Sequence, residues 1–385
     1  MSVRKRQWTT RKGEQKEAWI VDYSIGGSRH IETFARKKDA DAREAQITVD
    51  TGKGIHIAPN KTPTVAEASE MWLKDAEGRL ERATVESYRQ HVDQHIRPYV
   101  GPLKLSQLSV PAVRNFMDKL LADGRSVAMI KRVIGDLGSI LADAQERGLV
   151  AQNVVRSLSR RRKGKQAERR QKSKLKVGVD IPSPEEMRAI IAKLDGRWRP
   201  LILTAIFTGL RASELRGLRW QDVDLKKCIV HVRQRADRFN AIGNPKSAAG
   251  ERSVPLPPML ANTLREWKLQ SPKGKGELGL VFPNGAGGIE NHANIVQRGL
   301  APVQVAAGVV NKDGKAKYTG LHSLRHFYAS WCINRREDGG LGLPIKNVQH
   351  RLGHASIQMT SDRYGHLFEG GDDSAELAAA EGALF

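Results

Sequence analysis

The stretch Leu352-Gly353-His354-Ala355-Ser356-Ile357-Gln358-Met359-Thr360-Ser361-Asp362-Arg363-Tyr364 reads as a helix stop, a corner and a helix start. Glycine takes the left-handed backbone that ends helices without steric cost, so Gly353 closes the preceding helix. Ser356 offers a hydroxyl to the free N–H groups of a new helix. That helix delivers Tyr364, ten residues after His354. His350 and His354 are four apart, a spacing that on one continuous helix would suit a metal. Gly353 interrupts that helix, and Arg351 stands where a zinc-protease helix carries glutamate. No metal is expected here.

Two further clusters lie toward the N-terminus. In His322-Ser323-Leu324-Arg325-His326, His322 and Arg325 are three apart and share one helical face. Together they can hold two phosphate oxygens or move a proton. In Thr208-Gly209-Leu210-Arg211-Ala212-Ser213-Glu214-Leu215, a glycine ends one helix and Ser213 is expected to start the next. Arg211 then sits on a tight corner, where a rigidly held guanidinium can grip a phosphate with two parallel hydrogen bonds. Tyr318 and Tyr328 are rival hydroxyls. Tyr328 follows Arg325 by three on the same helix and is expected in the core, whereas Tyr318 precedes His322 in a loop. The plain structural alternative for Tyr364 is a helix-end aromatic against Leu367 or Phe368.

The surrounding 385 residues carry 64 Lys and Arg against 42 Asp and Glu, a formal charge of +22. Nucleic acid is the natural counter-charge, because each neutralised phosphate releases condensed counterions. Two cysteines, Cys228 and Cys332, are too few for a disulfide framework or a cysteine-rich zinc site, and free thiols are expected. Met1 to Lys12 is basic without a following apolar run, unlike a signal peptide. No apolar run reaches the roughly 18–20 residues that span a bilayer. A cytoplasmic, nucleoid-associated location is expected.

The pattern implies several domains. Ala18 to Ser24 and Arg29 to Phe34 read as paired strands around a Gly26-Gly27 turn, and Ala35 to Val49 as a helix. This basic unit, residues 1–57, can lay a strand face in a DNA groove. Residues 51–63 form a Gly/Pro/Lys linker. Thr64 with Glu67 fits a capping box. Four amphipathic helices follow, with inner faces Val65-Ala68-Trp72, Val85-Tyr88-Val92-Ile96, Val113-Phe116-Met117-Leu120 and Ile130-Val133-Ile134-Leu137-Leu141. Gly148 ends the last of them, making a helical domain over 63–155. Arg156 to Lys176 holds eleven basic residues and one acid, Glu168. It cannot pack a core, and 156–179 is expected to be a basic linker. Ser183, Pro184 and Glu186 open a last domain over 180–371, whose first helix buries Met187, Ile190, Ile191 and Leu194. Cys228 to Val232 and Arg252 to Leu256 are expected to pair across Gly243 to Gly250. The tail, 372–385, is Ala-rich with Leu377, Leu384 and Phe385. The fold class is mainly α with small β elements.

Taken together and in this order, the clusters resemble the tyrosine recombinases, specifically phage-type and mobile-element integrases. The family pattern is Arg, Lys, His-x-x-Arg, His or Trp, and Tyr. Arg211, His322, Arg325, His354 and Tyr364 match it. Lys246, in Asn244-Pro245-Lys246-Ser247 between the two expected strands, matches the family lysine, with Lys226, Lys227 and Arg252 nearby as rivals. The resemblance covers residues 180 to 370 strongly. More weakly, it makes 63–155 a core-binding domain and 1–57 an arm-type DNA-binding domain.

The resemblance implies a site-specific recombinase acting on double-stranded DNA at core-type and arm-type attachment sites, with no cofactor or metal. Tyr364 would attack a phosphodiester to form a 3′-phosphotyrosine and a free 5′-hydroxyl. Arg211 and Arg325 would neutralise the non-bridging oxygens, and His354 would hydrogen-bond the phosphate. His322 would be the general base, and Lys246 would protonate the leaving oxygen. Two duplexes with two cleavages each imply a tetramer, with the tail docking between subunits. An excisionase and a host DNA-bending protein are implied as accessory partners. A type IB topoisomerase shares the chemistry, and a catalytically silent DNA-binding protein is the reading from another class.

Overall fold

The computed structural model describes residues 1–10, 13–25, 28–52, 62–158, 174–271, 278–368, 378 and 381–382. The Gly26-Gly27 turn, most of the 51–63 linker, the centre of the basic linker and most of the tail lie outside the described residues. The chain divides into two compact units, Met1–Lys163 and Gly164–Phe385.

The first unit opens on a three-stranded antiparallel sheet: β1 (Ser2–Thr9), β2 (Gln15–Ile25) and β3 (Ser28–Phe34), with β2 central. The sequence pattern missed β1, since its residues are nearly all exposed and polar and show no apolar alternation. Its pairing is nevertheless complete, from Ser2 opposite Asp22 to Thr9 opposite Gln15. Helix α1 (Lys37–Gly52) covers the face bearing Trp19, Val21 and Tyr23, contributing Ala40 and Ile47 to their core. Strand alternation therefore places Arg4, Arg6 and Trp8 on the opposite face.

The rest of this unit is helical. α2 (Val65–Arg79) starts at the expected capping box: Thr64 Oγ1 accepts from the Glu67 N–H, and the Glu67 carboxylate accepts from the Thr64 N–H. α3 (Arg82–His91) runs through a π turn, Val92–Ile96, into α4 (Arg97–Val100). α5 (Val110–Ala122), α6 (Val127–Glu146) and the short α7 (Val154–Leu158) complete it. Gly148 is left-handed (φ 69°) just past the end of α6. The inner-face residues named from the sequence form one core, with Tyr88 and Met117 only partly buried at its edge, except Val85, which is buried outside that cluster.

The second unit begins with α8 (Pro184–Lys193), capped by Ser183 and Glu186 as the sequence implies. α9 (Trp198–Thr208) is buried along nearly its whole length, so it forms the centre of this unit. The short α10 (Ala212–Arg216) follows. A three-stranded sheet of order β4 (Val223–Asp224), β5 (Ile229–Val232) and β8 (Arg252–Pro255) packs beside them. Between β5 and β8 lies a separate ribbon, β6 (Arg235–Ala236) and β7 (Ile242–Gly243). The strand expected from Cys228 starts one residue later, because Cys228 itself is left-handed (φ 54°). Cys228 and Cys332 are both free, and only Cys332 is fully buried. α11 (Pro258–Gln270), α12 (His292–Asn294), a π turn (Ile295–Leu300) and α13 (Ala301–Ala306) lead to the closing helices. These are α14 (His322–Ile333), α15 (Ile345–Leu352) and α16 (Ile357–Tyr364). Tyr328, Ala329 and Cys332 of α14, Val348 and Leu352 of α15, Val254 of β8 and Tyr364 share one apolar cluster. No described helix is long and apolar enough to cross a membrane.

Candidate active site

The site lies where α9 ends, α10 begins and the corner between α15 and α16 comes across. Gly209 ends α9 in the left-handed conformation (φ 60°), and a Cβ there would lie 2.4 Å from the Tyr328 ring. Only glycine lets α9 approach α14 this closely. The next helix starts one residue pair earlier than Ser213: Arg211 is its N-cap, with its N–H donating to Glu214 Oε2 at 2.8 Å. The sequence reading favoured serine on capping preference. Here the carboxylate at the third helical position supplies the cap instead.

Glu214 organises the floor. Its carboxylate is buried and takes hydrogen bonds from Arg211 Nη1 (2.7 Å) and from both terminal nitrogens of Arg252 (2.9 and 3.1 Å). Burial alone would raise its pKa, but the two arginines overcome this and hold it at about 2. The Arg252 side chain is wholly buried (0% exposed) and also donates to the carbonyls of Gly250 and Arg351. Arg211 donates its other terminal nitrogen to the Gly353 carbonyl at 2.9 Å, and its side chain stays 34% exposed. It is thus held in place through both terminal nitrogens while remaining partly exposed.

Arg325 is almost fully buried, donating to the carbonyls of Gly209 (2.6 Å) and Leu352. Burial, then the nearby Arg211, bring its pKa down to about 9, which leaves it charged at neutral pH. His354 follows the left-handed Gly353 (φ 63°). Its Nδ1 pairs with Thr360 Oγ1 at 2.9 Å, and Gln349 donates to its carbonyl. Burial, then Arg325 and Arg211, lower its pKa to about 3.

Tyr364 is 1% exposed, and its ring stacks parallel to that of His354 at 6.3 Å. Burial raises its phenol pKa, while Arg325, Arg363 and Arg211 pull it back. Its hydroxyl is paired with His326 Nδ1 at 2.7 Å, not with His322. His322 lies edge-on to His326, ring centres 4.5 Å apart. Burial and then Arg325, Arg363 and Arg211 lower the His322 pKa to about 4, so it is neutral at pH 7. The rival tyrosines are engaged elsewhere. Tyr328 is in the core, and Tyr318 donates to Glu186 Oε2 at 2.6 Å.

Five of the six sequence-derived residues therefore come together: Arg211, His322, Arg325, His354 and Tyr364. Lys246 does not join them. It was expected on a turn joining two strands, but the intervening chain forms its own ribbon, and Lys246 lies exposed beyond β7. No hydrogen bond or ion pair among the described residues ties it to the cluster. The ribbon is itself anchored: Arg216 of α10 donates to the Asp237 carbonyl (2.9 Å), and Arg235 to the Asn244 carbonyl (3.0 Å). Glu214 and His326 are site components that the sequence motifs do not single out, and Arg252, marked in the sequence only as a rival for the lysine's place, proves to be the partner of Glu214. Arg252 had a signal, since it alternates with Ser253 to share the inward face with Val254. An inward arginine demands a buried acid. Among the described residues no cluster of His, Cys, Asp and Glu is arranged to hold a metal ion.

The chain matches the phage integrase family over residues 183–370 and the SAM-like N-terminal domain of phage integrases over 64–121. It is 27% identical to a tyrosine recombinase XerC-like protein of Caldanaerobacter subterraneus subsp. tengcongensis, covering 91% of this chain and 93% of that one. It is 24% identical to an integrase of Streptomyces ambofaciens, over 91% and 90% of the two chains. In fold it resembles the Tn1549 transposon integrase in complex with a circular intermediate DNA (TM-score 0.65, 17% identity, 83% of this chain and 100% of that one). It likewise resembles lambda integrase bound as a dimer to a core site (TM-score 0.57, 15% identity, 94% of each chain). The site and these likenesses agree: the chain belongs to the phage integrase family of tyrosine recombinases, enzymes that cleave and rejoin DNA.

Proposed function

We propose that the protein is a site-specific integrase that inserts or excises a mobile element or prophage, with Tyr364 as the nucleophile. The observation that carries this reading is the hydroxyl of Tyr364, held beside a cation cluster on a rigid corner. A phosphodiester entering against Arg211 meets a guanidinium that is held in place and still partly exposed. Arg211 and Arg325 then stabilise the charge that builds in the pentacoordinate transition state. His354 hydrogen-bonds the same phosphate, and neutral His322 takes the phenolic proton. The exposed loop bearing Lys246 moves in to protonate the leaving 5′-oxygen. The bond energy is kept in the 3′-phosphotyrosine, so rejoining needs no ATP.

Domain roles belong to the same proposal. The sheet face with Arg4, Arg6 and Trp8 reads arm-type DNA, and the helices over 63–155 grip the core site. Residues 156–179 link them to the catalytic domain over 180–371, and the tail over 372–385 docks between subunits. Lambda integrase has been solved as a tetramer bound to a Holliday junction. A tetramer on DNA is proposed here by the same logic, with an excisionase and a host DNA-bending protein as accessory partners.

The test is recombination between two plasmid-borne attachment sites taken from the ends of the element that encodes the chain. Integrase activity gives recombinant joints. Relaxation of supercoiled plasmid without site preference or joints would assign a topoisomerase instead.

A further inference from the structure

We propose that His326 is a catalytic hydrogen-bond donor to the Tyr364 oxygen, its tautomer fixed by Arg363. The catalytic meaning rests on Tyr364 being the nucleophile, while the hydrogen-bond assignment stands by itself. Both ring nitrogens of His326 are engaged: Nδ1 with Tyr364 Oη at 2.7 Å, and Nε2 with Arg363 Nη2 at 3.3 Å. A guanidinium only donates, so Nε2 must present its lone pair. A neutral imidazole has one N–H, which is then on Nδ1 and points at the phenol oxygen. The tyrosine hydroxyl cannot also donate to that nitrogen.

This arrangement excludes His326 as the base for Tyr364. It leaves the phenolic proton free to go elsewhere, and it favours the oxygen once that proton is gone. The groups facing this pair all act in one direction. His322 lies edge-on to the His326 ring at 4.5 Å, and the rings of His326 and Tyr364 meet at 5.7 Å. Arg325, Arg363 and Arg211 act on the Tyr364 charge, and His322, His354 and the same Arg325 and Arg363 oppose a second proton on His326. Arg363 precedes Tyr364 in the chain, so the residue that sets the tautomer travels with the nucleophile on α16.

The experiment uses the full chain without DNA. Nitrogen-15 NMR of the histidine rings, with the His326 signals assigned by their loss in a variant, should show a protonated Nδ1 and an unprotonated Nε2. In Arg363→Met this preference should be lost. A 3,5-difluorotyrosine placed at position 364 titrates nearer neutrality and gives a single-site fluorine signal. His326→Phe should raise its midpoint by about one pH unit or more, the size expected for losing a hydrogen bond to a charged oxygen. His326→Asn, whose amide N–H occupies the place of Nδ1–H, should recover most of that shift. A wild-type ring protonated on Nε2 overturns the proposal, as does an unchanged or lowered midpoint in His326→Phe. Failure of Tyr364 to form a DNA adduct would remove the nucleophile reading while leaving the tautomer result standing.

Discussion

At the scale of single residues, the site depends on a buried carboxylate that pairs with two of its arginines. Glu214 holds Arg211 in position and neutralises Arg252, whose side chain has no solvent to turn to. Removing one partner of a buried pair leaves an uncompensated charge, which typically costs roughly 3–5 kcal/mol. Glu214→Ala is therefore expected to lose stability of that order in urea denaturation, and to lose DNA cleavage with it. A drop under about 1 kcal/mol would show that Arg252 finds another partner. The pH dependence follows in sign. The folded-state pKa of about 2 lies below the ordinary 4.5. The stabilisation is complete above pH 4.5 and disappears as pH falls toward 2.

At the scale of elements, the corner between α15 and α16 sets the geometry of three site residues at once. Gly353 gives its carbonyl to Arg211, stands next to His354, and precedes the helix that carries Tyr364. Its φ is 63°, and a Cβ would lie 2.8 Å from Arg252 Nη1 and 2.9 Å from the Ala249 carbonyl. Gly353→Ala should cost about 1–2 kcal/mol for handedness, before any displacement. It should reduce cleavage by about 10²-fold at temperatures where the variant is still folded, because small misplacements are amplified in rate. Equal cleavage by the folded variant would contradict this role for the corner. Such corners were legible in the sequence because glycine, serine and their spacing act locally. The capped helices of both units were legible for the same reason. Strand β1 was not, since its pairing partner rather than its own pattern makes it a strand. The Arg211 cap and the His326 contact were also hidden. Both depend on side chains meeting across elements, Tyr364 and His326 being 38 residues apart. Lys246 matches the family lysine by its place between two strands, and the ribbon inserted before it leaves it exposed.

At the scale of the whole molecule, two consequences of charge and burial can be measured. His322, His326 and His354 are held neutral, with pKa values near 4, 3 and 3, chiefly by burial. The ordinary value is 6.5, so the unfolded chain takes up protons first as pH falls. Stability is expected to decline progressively from about pH 6.5 downward, seen as a falling thermal midpoint. A midpoint constant from pH 7 to about 5 would contradict neutral burial of these rings. The charge of +22 makes DNA affinity fall steeply with salt. Arg6→Ala, on the open face of the sheet, should lower the slope of log affinity against log salt by about one on arm-type DNA, and leave core-site binding unchanged. An equal loss on both DNAs would reject the arm-type assignment. The central claim is tested most directly by incubating the protein with nicked DNA carrying its core site and resolving the products in SDS. A DNA–protein adduct that survives denaturation in the wild type and is absent in Tyr364→Phe is the expected result. An adduct that persists in Tyr364→Phe, or none in the wild type, would contradict the account.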